Sequence, residues 1–132
     1  AGQTQKEFYV NEAHARIDML LHPVVEGIAD TPPADAQEGQ VWLVSAMPEG
    51  DWADRADALA GRQAGSWVYI EPRDGLRVYD RAAGHIRFYA NGWQHPVLPT
   101  SPVGGATVDA EVRAAYAKLI ESLQKTGILP MN

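Results

Sequence analysis

A series of short alternating segments between residues 66 and 98 constrains the fold of this chain most strongly. Three of them, "SWVYIE", "LRVYD" and "HIRFYA", alternate apolar and polar side chains, and "WQHPVL" is a candidate fourth. Alternation with a period of two is typical of strands that bury one face. The connections "PRDG", "RAAG" and "NG" contain the residues that tight turns favour. The sequence therefore predicts an antiparallel β-meander.

The alternation also predicts which side chains share a face of the meander. One set is apolar and the other carries the charged and phenolic residues: Leu76, Val78, Ile86 and Phe88 against Arg77, Tyr79, Arg87 and Tyr89. The pair Asn91-Gly92 predicts a type I′ turn, because both central residues of that turn need a positive φ. Trp93 would then begin the returning strand.

A helix is predicted before the sheet, from Asn11 to His22. Asn11 is a favourable N-cap, and Pro23 ends the helix because the residue before a proline avoids helical geometry. Its apolar residues follow a helical period, so we expect them to form one buried stripe: Ala13, Ile17, Leu20, Leu21 and Val24. Between helix and meander, residues 29–39 form a loop, "QVWLVS" a short strand with Trp42 in the core, and residues 59–63 a weak strand.

The last part of the chain combines a linker with a strongly patterned helix. Residues 96–107 carry three prolines and two glycines, and residues 108–132 contain a helix that Gly127 would terminate. Its apolar positions follow the 4-3-4 spacing of a coiled-coil seam: Val112, Tyr116, Leu119 and Leu123. Such a helix can pack on its own sheet, or against copies of itself or a partner. The preceding linker favours the second arrangement.

Composition excludes several classes of function. The chain has 132 residues and a net charge of −6, which disfavours binding to nucleic acid or to an anionic membrane. It has no cysteine, so disulfides, thiolate metal sites and a cysteine nucleophile are excluded. Its apolar runs are far shorter than the roughly 20 residues of a membrane span. The opening residues do not resemble a signal peptide, and we expect production in the cytoplasm.

Motifs for catalysis, cofactors or metals are missing from the sequence. It contains no nucleophile elbow, phosphate-binding loop, dinucleotide fingerprint or zinc-ligand pattern, and its four histidines are scattered. Asp51, Asp54 and Asp57 are spaced by three, whereas the first ligands of an EF-hand are spaced by two. A solvated acidic loop is the simpler interpretation of these aspartates. We expect neither an enzyme nor a cofactor or metal site.

Four aromatic residues raise a separate possibility, which is sugar binding. Rings stack on sugars when one face is exposed beside polar groups, and the candidates for such a platform are Trp67, Tyr79, Tyr89 and Trp93. The simpler interpretation is that the tryptophans belong to hairpins and core. The direction in which the Trp93 ring faces distinguishes the two.

Several segments, in order, resemble one family. The opening "GQTQKEFYVNEAHARIDML" resembles the start of a small domain of unknown function found in bacteriophage tail-fibre proteins and in virion proteins of phage-like gene transfer agents. The similarity continues through "TPPADAQEGQVWLV", the Gly50–Trp52 element, "AGSWVYIEPRDGLRVYD" and "FYANGWQ", over roughly residues 2–95. The last helix resembles the short helices that close many virion proteins.

This resemblance implies a structural virion component without catalytic residues. The expected role is the base or adaptor of a head spike or tail fibre that carries receptor-binding fibres for host attachment, assembled in the cytoplasm of a host bacterium. Its expected partners are other copies of the chain and capsid, tail or fibre proteins. The polar opening motif would contact the particle through Gln3, Gln5, Lys6 and Glu7. A carbohydrate-binding module that recognises host surface polysaccharide is the alternative.

Taken together, these patterns predict an α+β fold. Residues 1–95 would form a helix with a small antiparallel, hairpin-rich sheet. Residues 96–107 would be a linker, and residues 108–132 a helix for oligomerisation or docking.

Overall fold

The computed structural model describes residues 2–107 and 109–131. The described residues do not include Ala1, Val108 or Asn132. Ala1 is the first residue of the predicted segment 1–95, and Val108 and Asn132 are the first and last residues of the predicted segment 108–132. Within those residues the chain folds into two helices that flank eight strands, which confirms the predicted α+β class. The elements are α1 (Gly2–Leu21), β1 (Val24–Val25), β2 (Ile28–Ala29), β3 (Val41–Val44), a 3-10 turn (Gly50–Trp52), β4 (Leu59–Gln63), β5 (Ser66–Ile70), β6 (Arg77–Asp80), β7 (His85–Tyr89), β8 (Trp93–Gln94) and α2 (Ala110–Lys125).

The strands form two sheets, so the prediction of a single meander is only partly right. The first sheet has the order β1-β6-β7-β8 and the second β2-β3-β4-β5. Neighbours are antiparallel except for the short parallel pairs β1–β6 and β2–β3. β5 does not pair with β6, because it folds back on β4 and the chain then crosses to the other sheet.

The hairpin between β4 and β5 gives the second sheet its longest pairing. The predicted weak strand at residues 59–63 is confirmed as β4. Ala64 and Gly65 form the two-residue turn, with φ of 49° and 75°. An alanine rarely adopts a positive φ, which is why the sequence contains no clear turn signal here. The carboxylate of Glu38 accepts a hydrogen bond from the Ala64 N–H.

The register between β6 and β7 differs from the prediction. Tyr79 pairs with Ile86 and Arg77 with Phe88, so these four side chains share one face. The connection fixes this register: Asp80 pairs with His85 across four intervening residues, and its carboxylate accepts a hydrogen bond from the Ala83 N–H. The predicted grouping of Arg77 and Tyr79 with Arg87 and Tyr89 is therefore wrong.

The turn at Asn91-Gly92 has the predicted backbone but another length. Asn91 and Gly92 have φ of 50° and 115°. The flanking pair is Tyr89 with Trp93, which encloses three residues rather than the two of a type I′ hairpin. Trp93 begins β8, as predicted.

α1 is longer than predicted and buries a different face. It begins at Gly2, so Asn11 lies inside the helix and is not its N-cap, while the end before Pro23 is confirmed. Ala15 and Met19 are its buried residues. The stripe predicted to be buried is exposed at Ala13, Ile17, Leu20 and Leu21, and Val24 belongs to β1. Apolar residues occupy two opposite faces of this helix, and periodicity does not show which one meets the sheets.

Two hydrophobic clusters stabilise the body. The first joins α1 to both sheets and contains Met19, Val25, Leu43, Leu59 and Val78. The second lies on the other face of the second sheet and contains Val44, Trp52, Ala58 and Ala60. Trp42 packs against this second cluster, which confirms its predicted place in the core.

α2 is attached to the body by its C-terminal end. Asp109 caps its start by accepting the Val112 N–H at 2.9 Å. At its end Gly127, with φ of 72°, completes the predicted cap: the Ile128 N–H donates to the Leu123 carbonyl and the Gly127 N–H to that of Gln124. The Gly127 carbonyl then accepts the Ile86 N–H of β7, and Leu129 is buried. None of the described residues 110–125 of α2 is buried.

Candidate assembly surfaces

Two residues of the predicted seam of α2 are exposed to solvent, and the other two are partly buried. Val112 and Leu119 are 62% and 56% exposed. Tyr116 is partly buried and its hydroxyl donates to the Thr100 carbonyl at 3.3 Å. Leu123, also partly buried, supplies its carbonyl to the C-terminal cap. The structure therefore leaves one apolar row of the seam open.

The linker lies against α2 instead of extending freely. Arg113 donates to the carbonyls of Pro102 at 3.1 Å and Gly104 at 2.6 Å. None of the described residues in the range 96–107 is in a helix or strand. Side-chain contacts with α2 therefore hold this segment in place.

The predicted particle-contact residues lie on the first half of α1. Gln3, Gln5, Lys6 and Glu7 are helical and exposed, as are all residues from 2 to 10. Phe8, Tyr9 and Val10 follow directly and are also exposed. This half of the helix therefore extends beyond the body and presents both polar and apolar side chains.

A groove separates α1 from the β4–β5 hairpin. It has a volume of about 710 Å³, and its lining mixes aromatic, amide and carboxylate groups: Phe8, Asn11, Glu12, Asp18, Gln63 and Trp67. Glu12 is paired at 2.7 Å with Arg16, whose Nε donates to the Tyr69 carbonyl of β5. Among the described residues no three His, Cys, Asp or Glu side chains converge to hold a metal ion. Asp51, Asp54 and Asp57 thus form no such cluster.

The four aromatic residues predicted as a sugar platform lie on three separate surfaces, with Tyr89 and Trp93 together on one of them. Trp67 is in the second sheet, with its ring 5.1 Å from that of Trp52. Tyr89 and Trp93 pack edge to face at 5.2 Å. Tyr79 is exposed on the opposite face of the first sheet. The Trp93 Nε1 donates to the Asp57 carbonyl at 2.8 Å and its ring packs on the first cluster, so Trp93 ties the sheets together.

Sequence reasoning missed a second, mainly apolar groove on the first sheet. It has a volume of about 440 Å³ and is lined by Arg77, Ile86, Phe88, His95 and Ile128, among others. The Arg77 guanidinium lies 5.5 Å from the centre of the Phe88 ring. Only the correct register of β6 and β7 would have revealed this groove, because it places Arg77 and Phe88 side by side.

Two polar contacts inside the body involve the buried side chains of Asp80 and His85. Asp80 and Arg87 form an ion pair at 2.7 Å, and His85 is buried with its Nδ1 3.2 Å from the Ile86 carbonyl.

Near the second cluster, burial raises the pKa of the Tyr69 phenol, while the Arg55 guanidinium, 4.6 Å from its ring centre, acts in the opposite direction. We interpret these groups as structural.

No described helix is long and apolar enough to cross a membrane. Residues 10–94 match the model of a family described as a protein of unknown function, DUF2793. No curated protein and no protein of solved structure matches the chain.

Proposed function

This chain belongs to the DUF2793 family, and we propose that it is a non-enzymatic structural module that assembles through its two helices. One observation carries the proposal: the body has closed hydrophobic clusters, whereas both helices leave apolar side chains uncovered. Large exposed apolar patches usually mark sites of protein association. The body then acts as a spacer that holds the two helices.

For α2 we propose contact with neighbouring copies or a partner protein along its open row. Val112 and Leu119 are seven residues apart and lie on one side of the helix. Docking by the Gly127 end alone leaves that side accessible. Two heptads are too few to hold a coiled coil in isolation, so the contact adds to others in an assembly.

For the place of the module we propose a virion of a phage or a phage-like gene transfer agent. The chain would act there as base or adaptor of a head spike or tail fibre. The resemblance of the opening motif supports this place, and the projecting Gln3, Gln5, Lys6 and Glu7 are available for contact with the particle. The alternative of a carbohydrate-binding module has less support, because its four aromatic residues lie on three separate surfaces and only Tyr89 and Trp93 are neighbours.

Light scattering on the full chain tests the assembly role. Val112→Glu with Leu119→Glu should lower the mass, because charges on the open row prevent apolar contact. Lys118→Glu, an exposed substitution beside that row, is the control and should leave the mass unchanged. An unaltered mass in the double variant would contradict the role of α2.

Immunolabelling of purified particles tests the proposed location in the virion. An antibody against this chain should decorate spikes or fibres in electron micrographs. Particles that lack the chain altogether would contradict the virion assignment, whatever the oligomeric state in solution.

A further inference from the structure

α1 carries an apolar row that no described part of the chain covers. We call it the outer stripe, and it consists of Val10, Ala13, Ile17 and Leu20. Val10, Ile17 and Leu20 are 51%, 54% and 44% exposed. Their spacing of 3-4-3 is that of positions a and d in a coiled coil.

The outer stripe lies on the opposite side of α1 from the body. Ala15 and Met19 define the buried side, and with 3.6 residues per turn the stripe is centred roughly 160° away from them. A second helix can therefore approach the stripe without displacing any contact between α1 and the sheets. Two apolar rows on opposite sides are expected of a helix with two partners.

We propose that the outer stripe pairs with the same stripe of a second copy of this chain, as a parallel two-stranded coiled coil. The inference rests on the proposed assembly role and names the partner of α1. The 3-4 spacing selects another helix as occupant, since it matches knobs-into-holes packing. Val10 and Ile17 occupy position a, and Ala13 and Leu20 occupy d. β-branched residues at a with Leu at d favour two parallel strands, and the small Ala13 lets the two helices approach closely.

The charges near the start of α1 agree with the parallel direction. The same register places Gln3 at a, Lys6 at d and Glu7 at e, all exposed. In a parallel pair Gln3 of one helix lies opposite Gln3 of the other and Lys6 opposite Lys6, while Glu7 of the other helix lies beside each Lys6 and offsets the repulsion between the two lysines. An antiparallel pair moves these two charges to opposite ends of the interface.

Contacts with the body help so short a coiled coil to form. An isolated helix of this length is marginal because nucleation is costly. Here Ala15 and Met19 pack on the sheets, and Arg16 bonds to the Tyr69 carbonyl, so the second half of α1 is already held in helical form. Most of the outer stripe lies in this second half, so the pairing surface is already helical before a second copy binds.

Disulfide trapping in the full chain tests the pairing, because the sequence has no cysteine of its own. Val10→Cys and Ile17→Cys should each form a covalent dimer with itself under mild oxidation. Paired helices present the thiols at millimolar effective concentration, so crosslinking should be roughly 1,000-fold faster than between free chains at micromolar concentration. Asp18→Cys, which is exposed but off the stripe, is the matched control.

Each outcome decides the inference. Equal rates for Ile17→Cys and Asp18→Cys would overturn it. Dimers that form only when Val10→Cys and Leu20→Cys chains are mixed would show an antiparallel pair and overturn the parallel one. Preferential crosslinking of Ile17→Cys chains to Leu119→Cys chains, when the two are mixed, would place α2 of another copy on the stripe and would also overturn it.

Two charge variants separate this inference from the α2 proposal. Ile17→Glu should lower the mass in light scattering while the fold is retained, since the side chain is half exposed. If only the α2 variant lowers the mass, pairing through α1 is wrong and assembly through α2 stands. If only Ile17→Glu lowers it, pairing through α1 stands and the role of α2 is wrong.

Discussion

The Nε of Arg87 donates to the carboxylate of Asp80 at 2.7 Å, across the boundary between β6 and β7. The Arg87 side chain is 14% exposed and that of Asp80 only 2%. The second carboxylate oxygen of Asp80 accepts the Ala83 N–H of the connecting turn. One carboxylate thus joins the turn to the neighbouring strand and supports the register that separates Tyr79 from Tyr89.

We expect Arg87→Met to destabilise the fold by about 3–5 kcal/mol, because it leaves a buried carboxylate without its partner. Urea denaturation measures the change in the free energy of unfolding. The control is Arg81→Met, which removes an ion pair with Glu26. Nη1 of Arg81 lies 3.0 Å from the Glu26 carboxylate, and the Arg81 side chain is largely exposed. Exposed pairs contribute about 0–1 kcal/mol, so equal losses in the two variants would contradict the structural role of Asp80.

Replacement of Gly127 by alanine should weaken the attachment of α2. Gly127 has φ of 72°, and a Cβ there would lie 3.1 Å from Cε2 of Tyr79. Gly104→Ala is the matched control, because φ is 76° and an added Cβ would meet no atom within 4 Å. Both variants carry a backbone cost of about 1–2 kcal/mol. A greater loss of stability at Gly127, partly recovered by Tyr79→Ala, is expected in thermal denaturation.

Gly61→Ala should disturb the packing of α1 on β4. An added Cβ would lie 2.6 Å from the Met19 sulfur, so that side chain must move. Overpacking of this kind costs about 1–3 kcal/mol. In a Met19→Ala background the same substitution should cost much less, and a double-mutant cycle measures that coupling. Equal costs in both backgrounds would show that Gly61 and Met19 are independent.

Stability should fall at alkaline pH because of Tyr69. Burial raises the pKa of this phenol in the folded chain, so its contribution is fully present below about pH 10, the unfolded value, and is lost as pH rises through the folded value. Tyr69→Phe should make unfolding less dependent on pH in this range. Arg55→Met should raise the phenol pKa further, because the guanidinium favours the phenolate. Absorbance of the phenolate in the ultraviolet follows the titration.

Local patterns in the sequence are sufficient for most elements of this fold. Strand alternation locates β5, β6 and β7, β-branched and aromatic residues locate β3, Pro23 ends α1, and Gly127 caps α2, because each depends on residues adjacent in the chain. Spacing also predicts a seam on α2, which stays a prediction. The Ala64-Gly65 turn escapes such reasoning, because alanine provides no local signal for a positive φ.

Tertiary structure alone decides how these elements face one another. The division of the strands into two sheets, and the register that puts Tyr79 opposite Ile86, depend on long-range pairing and on Asp80. The same is true of α1, which has two apolar rows of similar period, of which only one packs against the body. Met19 packs into the first cluster and Ile17 is left outside, since only one side of a helix can meet the sheets. Periodicity shows that a helix has an apolar row, but contact determines whether that row becomes core or surface.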